Sequence, residues 1–367
     1  MHIKRKYFIL FIVSLILIDI FAVFIHFQRS QPKPDLVKLE AGRIANYCQK
    51  YKYREECYSI QFGRLTEILN MDFSKKTLLA LQDIDPEQSR GCHLIAHYIS
   101  LAETKKHPED WKELLSKQNF NICTGGFIHG VLEAHMSMDN SFRLDGPAWP
   151  LLCGQFSIES GAKRSCFHNL GHILLVQEQN SIANGVKICS QIKDYTARYE
   201  CLSGLFMENL TRLNLKAHGL AEKIPWDQVH TEEVKKLCNQ YRGLPQQACW
   251  KEISYMFATL YKTNPKKVFE ACYQAPDKTM ADACYIYGAG NMVVFSFFKP
   301  AYLTEVCSVY NEKDPLYQTC MFQIVSSMLS SSPKFSDRVT DLCNGAPDFY
   351  KDKCFKQMRE ALIVSNL

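Results

Sequence analysis

Several familiar signatures are missing from this 367-residue sequence, and each absence excludes a class of function. No HExxH motif is present, which argues against a zincin metalloprotease, and no CxxCH motif is present for covalent attachment of c-type haem. No GK[ST] phosphate loop follows a predicted strand. An excess of one charge is also lacking, because 43 basic residues stand against 38 acidic ones. The composition therefore gives no indication of nucleic acid binding.

One long hydrophobic run, residues 7–27, follows the basic residues Lys4, Arg5 and Lys6. At about 1.5 Å per helical residue, such a run crosses a hydrocarbon core of about 30 Å. The basic residues are expected to keep a tail, 1–6, in the cytoplasm and to place the rest of the chain on the other side. No small-x-small cleavage site follows, so we expect an uncleaved signal anchor, with a removed signal peptide as the alternative. Residues 28–40 are predicted to be a linker.

The 16 cysteines are spaced almost regularly along the chain. Seven pairs have 8 to 12 residues between partners: Cys48/Cys57, Cys153/Cys166, Cys189/Cys201, Cys238/Cys249, Cys272/Cys284, Cys307/Cys320 and Cys343/Cys354. The second members, together with Cys92 and Cys123, recur about every 35 residues, which is the length of one helical hairpin. Residues 41–367 are therefore predicted to be an all-α solenoid of about nine disulfide-linked hairpins. Paired cysteines also indicate an oxidising, extracytoplasmic compartment.

The repeat around Cys189 shows how such a hairpin is built. Residues 182–189 are predicted to be a short helix, residues 190–197 a polar turn, and residues 199–209 a second helix. The segment Cys201-Leu-Ser-Gly204-Leu-Phe206, a cysteine followed by a small residue and an aromatic, resembles the disulfide-linked Sel1-like repeats of secreted bacterial proteins. This resemblance implies right-handed stacking of hairpins and a role in protein interactions, and it assigns no catalytic residue.

Five histidines follow the cysteines of three successive repeats, in the region 92–172. They are His93, His97, His129, His168 and His172. Two HxxxH pairs place both of their imidazoles on one helical face. Equivalent helices of adjacent repeats stand about 8–10 Å apart, so the rings are able to converge. We therefore predict a transition metal site, for which Zn, Cu or Fe is suitable.

Two carboxylates near the predicted histidine site are candidate general bases. Glu133 lies four residues after His129 on the same helix, and Glu208 lies seven residues after Cys201 in the next repeat. Either one is placed to accept a proton if the site is catalytic. A buried polar network without a metal, and non-covalent haem between two histidines, are the alternatives for the histidine cluster.

Other features of this region leave alternatives open. Cys92 and Cys123 lack a nearby partner, and they are expected either to pair with each other or to serve as thiolate ligands. The glycines beside the histidines, such as Gly126 and Gly130, indicate either close helix packing or room for a ligand. The sequence thus predicts a membrane-anchored, extracytoplasmic metal-binding protein. A non-enzymatic scaffold that binds an envelope protein or peptide is the alternative.

Overall fold

The computed structural model describes residues 35–51, 54–85, 92–116, 122–138, 153–154, 162–178, 180–213, 228–261, 264–295, 305–331 and 336–365. These residues are helical apart from short turns, and they contain no β-strand. The all-α prediction is confirmed for them. The predicted cytoplasmic tail, the signal anchor 7–27 and the first part of the linker lie outside the described residues.

Most of the longer helices that the structure describes are preceded by a shorter one. They are α1 (Leu36–Cys48), α2 (Arg54–Ile68), α3 (Met71–Ile84), α4 (Cys92–Lys106), α5 (Trp111–Ser116), α6 (Gly126–Met138), α7 (Ala162–Gln177), α8 (Ile182–Cys189), α9 (Tyr195–Leu213), α10 (Gln228–Gln240), α11 (Leu244–Leu260), α12 (Pro265–Cys272), α13 (Lys278–Phe295), α14 (Pro315–Ser331), α15 (Ser336–Gly345) and α16 (Asp348–Ser365). Short 3-10 helices span Pro108–Asp110 and Ile122–Gly125. Among the described helices, none is long and apolar enough to cross a membrane.

Two helix starts differ from the prediction, and polar caps explain both. The first helix begins at Leu36, within the predicted linker 28–40, because the Asp35 side chain accepts hydrogen bonds from the backbone N–H groups of Val37 and Lys38. Helix α9 begins at Tyr195 rather than at residue 199, because the Asp194 carboxylate accepts a bond of 2.7 Å from the Ala197 N–H. An N-cap therefore extends each helix toward the amino terminus of the chain.

The cysteine pairing follows the predicted scheme throughout. All seven short-range pairs form disulfides, Cys92 bonds to Cys123, and no cysteine is free. Five of these bonds join the end of a shorter helix to the first turns of the next longer one, as between α8 and α9. Eight disulfides indicate a chain that folds in an oxidising, extracytoplasmic environment.

The longer helices pack against one another in chain order. Contacts join α2 to α4, α4 to α6, α6 to α7, α7 to α9, α9 to α11, α11 to α13, α13 to α14 and α14 to α16. The shorter helices α1, α3, α5, α8, α10, α12 and α15 each contact the longer helix that follows them. Helix α14 also contacts the 3-10 helix 122–125, so elements far apart in the sequence meet.

The buried side chains form two hydrophobic clusters that meet at α6. The first cluster covers α1 to α4 and includes Phe127, whereas the second extends from Trp111 to Cys354 and includes Ile128 and Val131. Successive residues of one helix therefore belong to different cores. The contact of α6 with α7 is also smaller than its contact with α4. Side chains of α6 are therefore positioned by contacts with both hydrophobic clusters.

The disulfide between α12 and α13 provides a test of how these hairpins are stabilised. In the chain-entropy model, closing a loop of this length stabilises the fold by about 3 kcal/mol. We expect the double variant Cys272→Ala/Cys284→Ala to lose about that much free energy of unfolding, measured by urea denaturation. Cys272→Ala alone, which also breaks the bond, should lose a similar amount. A double variant as stable as the wild type contradicts this account.

Candidate functional site

The five histidines predicted to form a site lie together in the structure. His93 and His97 are on α4, His129 is on α6, and His168 and His172 are on α7. His129 is central: its ring centroid is 5.3 Å from that of His93, 5.5 Å from that of His97 and 4.2 Å from that of His172. The centroids of His168 and His172 are 4.9 Å apart. We call these five residues the histidine cluster.

Glycines on α6 bring this helix close to α4. A Cβ atom at Gly126 would overlap the backbone carbonyl of His93, and one at Gly130 would overlap the carbonyl of His97. Only hydrogen fits at these two positions, so α6 and α4 approach backbone to backbone. Each glycine therefore lies against the backbone of a cluster histidine. The close-packing explanation of these glycines is the one that agrees with the structure.

A second glycine contact lies on the other side of the cluster, between α7 and α9. A Cβ at Gly204 of α9 would overlap the carbonyl of His168, and one at Gly171 of α7 would overlap the carbonyl of Cys201. The contact fixes the distance between His172 on α7 and the acidic side chains of α9. Glycine contacts thus hold neighbouring helices close together on both sides of the cluster.

Hydrogen bonds determine which nitrogen of His93 and of His129 carries the proton. His93 Nδ1 lies 3.1 Å from the carbonyl oxygen of Cys123, which only accepts, so Nδ1 is the donor. The neutral ring then has a lone pair on Nε2, which lies 3.2 Å from His129 Nδ1 and accepts its proton. His129 is left with a lone pair on Nε2, a buried atom with no hydrogen-bond partner among the described residues. An unprotonated, unpartnered imidazole nitrogen is therefore buried at the centre of the cluster.

Both predicted carboxylates hydrogen-bond to cluster histidines. Glu133 Oε2 lies 3.0 Å from His97 Nε2, and Glu208 Oε2 lies 2.9 Å from His172 Nδ1. Since a carboxylate accepts, the ring nitrogen that faces it is the donor in each bond, and His97 Nδ1 is buried and unpartnered in the described structure. Bonds of this kind fix the tautomer and orientation of metal-binding histidines in other proteins. A catalytic role for Glu133 or Glu208 stays a prediction.

Burial keeps the central histidines neutral. Loss of hydration, reinforced by the neighbouring histidines, lowers the pKa of His93 to about 3 and lowers the pKa of His129 well below its usual value. Burial also lowers the pKa of His172, although its bond to Glu208 opposes the shift. Burial is the largest effect on Glu133 and would raise its pKa, but the hydrogen bond from His97 and the electrostatic effects of His97 and His172 together outweigh it, so the net effect is a lowered pKa. The neutral imidazole is the form that binds metals.

Distances between donor atoms show how far the cluster is from a formed metal site. The separation of 3.2 Å between His93 Nε2 and His129 Nδ1 is that of a hydrogen bond, so in this arrangement the His129 proton lies between these two nitrogens and they do not share an ion. Among the described residues, the group of three whose donor atoms all lie within 4.8 Å is His107, Glu109 and Asp110, near the surface and outside the cluster. The cluster rings must therefore turn about their side-chain torsions before three of them share an ion.

The structure also shows a polar network that the sequence analysis missed. Glu200 on α9 lies 3.8 Å from His168 Nδ1 and accepts two bonds, of 2.6 and 3.0 Å, from Arg164. Beyond it, Lys251 lies 3.3 Å from Glu252 and is largely buried. Lys251 and Glu252 directly follow Cys249 and Trp250, in a part of the helix that is otherwise rich in apolar residues. Charged residues are rarely buried without a partner, so this adjacent pair is the sequence signal that could have revealed the network.

His135, a further histidine of α6, lies outside the cluster. Its ring stacks on that of Trp111 with centroids 4.0 Å apart. It lies six positions after His129 and therefore faces a different side of α6. Its role in the structure is to pack against α5.

Comparison of the chain with known protein families, with curated proteins and with solved structures finds no match in any of the three. The resemblance of Cys201-Leu-Ser-Gly204-Leu-Phe206 to Sel1-like repeats therefore stays a prediction. Function has to be inferred from the chemistry of the site, because a fold alone does not assign one.

The glycine contact between α4 and α6 can be tested with a matched pair of variants. Gly130→Ala inserts a methyl group against the His97 carbonyl and should lower the free energy of unfolding by about 2 kcal/mol. Gly42→Ala on α1, where no atom lies within 4 Å of the new Cβ, should leave stability unchanged or raise it by up to about 1 kcal/mol. Urea denaturation measures both. Equal changes in unfolding free energy at the two positions would show that close helix packing does not require glycine at position 130.

The neutral histidines predict an acid-sensitive fold. Below about pH 6.5 the unfolded chain takes up protons that the buried imidazoles do not, so stability falls with pH through the window from about 6.5 toward 3. For a histidine that stays neutral in the folded state, the loss between pH 7 and pH 5 is about 2 kcal/mol. We expect His129→Gln to reduce the slope of unfolding free energy against pH. His107→Gln, outside the cluster, should keep the wild-type slope, and an unchanged slope in His129→Gln contradicts the account.

Proposed function

We propose that this protein binds a transition metal ion through the histidine cluster. The observation that carries the proposal is the buried Nε2 of His129, which has a lone pair and no hydrogen-bond partner among the described residues. Leaving a buried polar atom unpaired costs about 1–3 kcal/mol, and a bound ion removes that cost. His97 Nδ1 is in the same situation on the neighbouring helix. His93 of α4 and the α7 residues His168 and His172 complete the proposed ligand set.

The chemistry of the donors limits the choice of ion. Neutral imidazoles suit Zn, Cu, Fe and Ni, whereas Mg and Ca prefer oxygen ligands. All 16 cysteines are bound in the eight disulfides, so no thiolate is left as a ligand. We therefore propose Zn, Cu or Fe bound by nitrogen. The hydrogen bonds that cluster histidines donate to the Cys123 carbonyl, to Glu133 and to Glu208 would orient the ligands.

The same proposal includes an architecture and a location for the chain. The sequential contacts of the longer helices, each with a shorter partner, support an α-solenoid of stacked hairpins. The basic residues and hydrophobic run at the amino terminus support a single signal anchor, with the remainder of the chain extracytoplasmic. The eight disulfides agree with that location.

If the bound metal activates water, Glu133 is the better-placed proton acceptor of the two carboxylates. Its side chain is 41% exposed while it bonds to His97, whereas the side chain of Glu208 is 14% exposed. A carboxylate that faces both solvent and the cluster is suited to carry a proton away from the ion. Glu208 would then act as a positioning residue for His172.

Metal analysis of the purified full chain tests the proposal. After purification without chelator, or after loading in turn with Zn, Cu and Fe, we expect about one ion per chain for one of these metals. His97→Ala/His172→Ala should lose the ion, because it removes ligands on both sides of His129. Inductively coupled plasma mass spectrometry gives the stoichiometry, and circular dichroism checks that the variant is folded.

The control variant changes the other group of side chains that could bind a metal ion, His107, Glu109 and Asp110. His107→Ala removes the histidine of the surface group and should leave the stoichiometry unchanged. A wild-type chain that takes up none of the three metals, or a His107→Ala variant that loses the ion, overturns the proposal. In either case the interaction scaffold is the remaining function.

A further inference from the structure

The first described helix, α1, exposes large apolar and aromatic side chains along one side. Leu36 and Leu39 are 65% and 58% exposed, and Tyr47 and Tyr51, which follow toward and beyond the end of the helix, are 43% and 48% exposed. With 3.6 residues per turn, positions 36, 39 and 47 lie on the same side of α1. The opposite side, which includes Ile44, is buried in the first hydrophobic cluster. We call Leu36, Leu39, Tyr47 and Tyr51 the α1 face.

The composition of the α1 face suits the boundary between water and lipid. Tyrosine is enriched at membrane–water interfaces, because its ring is apolar and its hydroxyl is polar. The rings of Tyr47 and Tyr51 lie with centroids 5.3 Å apart, and their hydroxyl groups share a hydrogen bond of 2.7 Å. A helix of this kind lies in the plane of the interface and buries its apolar side by about 5–10 Å. Neighbouring exposed apolar side chains therefore indicate a binding surface here.

Positive charge is concentrated around the same helix. Residues 28–54 contain seven Lys or Arg residues and two acidic ones, whereas residues 55–367 contain 33 basic and 35 acidic residues. The positive charge that follows the hydrophobic run therefore lies in the segment next to it. Basic residues on this side do not help to orient an anchor, because orientation is favoured by basic residues on the cytoplasmic side. Attraction to anionic lipid headgroups explains them, since basic segments beside a membrane span bind such lipids.

The chain length between the hydrophobic run and α1 keeps this helix near the bilayer. Eight residues separate Phe27 from Leu36, and even a fully extended chain of that length spans only about 30 Å. Helix α1 itself, with 13 residues, is about 20 Å long. A short tether gives an effective concentration in the millimolar range, so a face of modest affinity remains bound.

We propose that the α1 face lies on the extracytoplasmic surface of the membrane that holds the signal anchor, with its leucines at the acyl boundary and the surrounding basic residues against anionic headgroups. This proposal goes beyond metal binding and rests on the proposed anchor. The adjoining hydrophobic run and the local excess of positive charge favour a lipid surface over a second copy of the chain or another protein. Docking in this way orients the first repeats relative to the membrane.

Quenching of tryptophan fluorescence by brominated lipid tests the contact. The full chain carrying Leu39→Trp is reconstituted into vesicles of phosphatidylcholine with about one-third phosphatidylglycerol, with plain or brominated acyl chains. The first 110 residues contain no tryptophan, so the difference from the wild type isolates the added ring. We expect bromine to quench at least about half of the added fluorescence. Tyr195→Trp, at a position 60% exposed on α9, is the control and should be quenched much less.

Flotation of the same vesicles separates this proposal from the anchor on which it rests. A chain that floats with the vesicles, but whose tryptophan at position 39 is not quenched, overturns the docking of α1 and leaves the anchor in place. The α1 face would then belong to a protein partner or a second copy. A chain that does not float overturns both the anchor and the docking.

Two further comparisons test the residues and the charges. Leu36→Asp in the Leu39→Trp chain should reduce quenching at least about two-fold, because a carboxylate is costly at the acyl boundary. Phe322→Asp, at a position 53% exposed on α14, should leave quenching unchanged. Vesicles of phosphatidylcholine alone should also quench less, because they lack anionic headgroups. Undiminished quenching in the Leu36→Asp chain contradicts the assigned face, and equal quenching in both kinds of vesicle contradicts the role of the basic residues.

Discussion

Where α4 crosses α6, no side-chain atom fits between Gly126 and the carbonyl of His93, and the same is true of Gly204 and His168 where α9 crosses α7. The first contact holds together α4 and α6, which carry His93, His97 and His129, and the second holds α7, which carries His168 and His172, against α9. A helix without glycine at these positions would be displaced by the width of a methyl group or more, and the hydrogen bond between His93 and His129 would not form. The chemistry of the site therefore depends on residues that have no functional groups.

The cluster occupies the junction of two hydrophobic cores, and this location explains its unusual protonation. Phe127 packs into one core and Ile128 into the other, so the next residue, His129, is enclosed from both sides. Enclosure removes water from the ring and keeps it neutral, and the bond from His129 to His93 leaves its Nε2 without a proton. The disulfide between Cys92 and Cys123 holds the carbonyl that fixes this arrangement. The burial of His129, the disulfide between Cys92 and Cys123 and the tautomers of the two rings therefore depend on one another.

Much of this organisation is predictable from the sequence, because it is encoded by spacing. The cysteine period predicts the helical hairpins and their disulfides, and the positions of His97, His129 and His172 after successive cysteines predict that these rings are neighbours. The network of Arg164, Glu200 and Lys251 is not predictable in this way, because it joins residues that are separated by up to 87 positions and share no motif. The start of α1 at Leu36 was also missed, since a single cap, Asp35, decides it. Ring orientation depends on backbone carbonyls, which a sequence pattern does not reveal.

The most direct test of the account is the tautomer of His93 and His129 in the chelator-treated protein, measured by nitrogen-15 nuclear magnetic resonance of the imidazole rings. The account predicts that both rings carry their proton on Nδ1 and remain neutral at pH 5, with resonances assigned by His93→Gln and His129→Gln variants. Rings that are protonated on Nε2, or that titrate near the usual pKa of about 6.5, would contradict it.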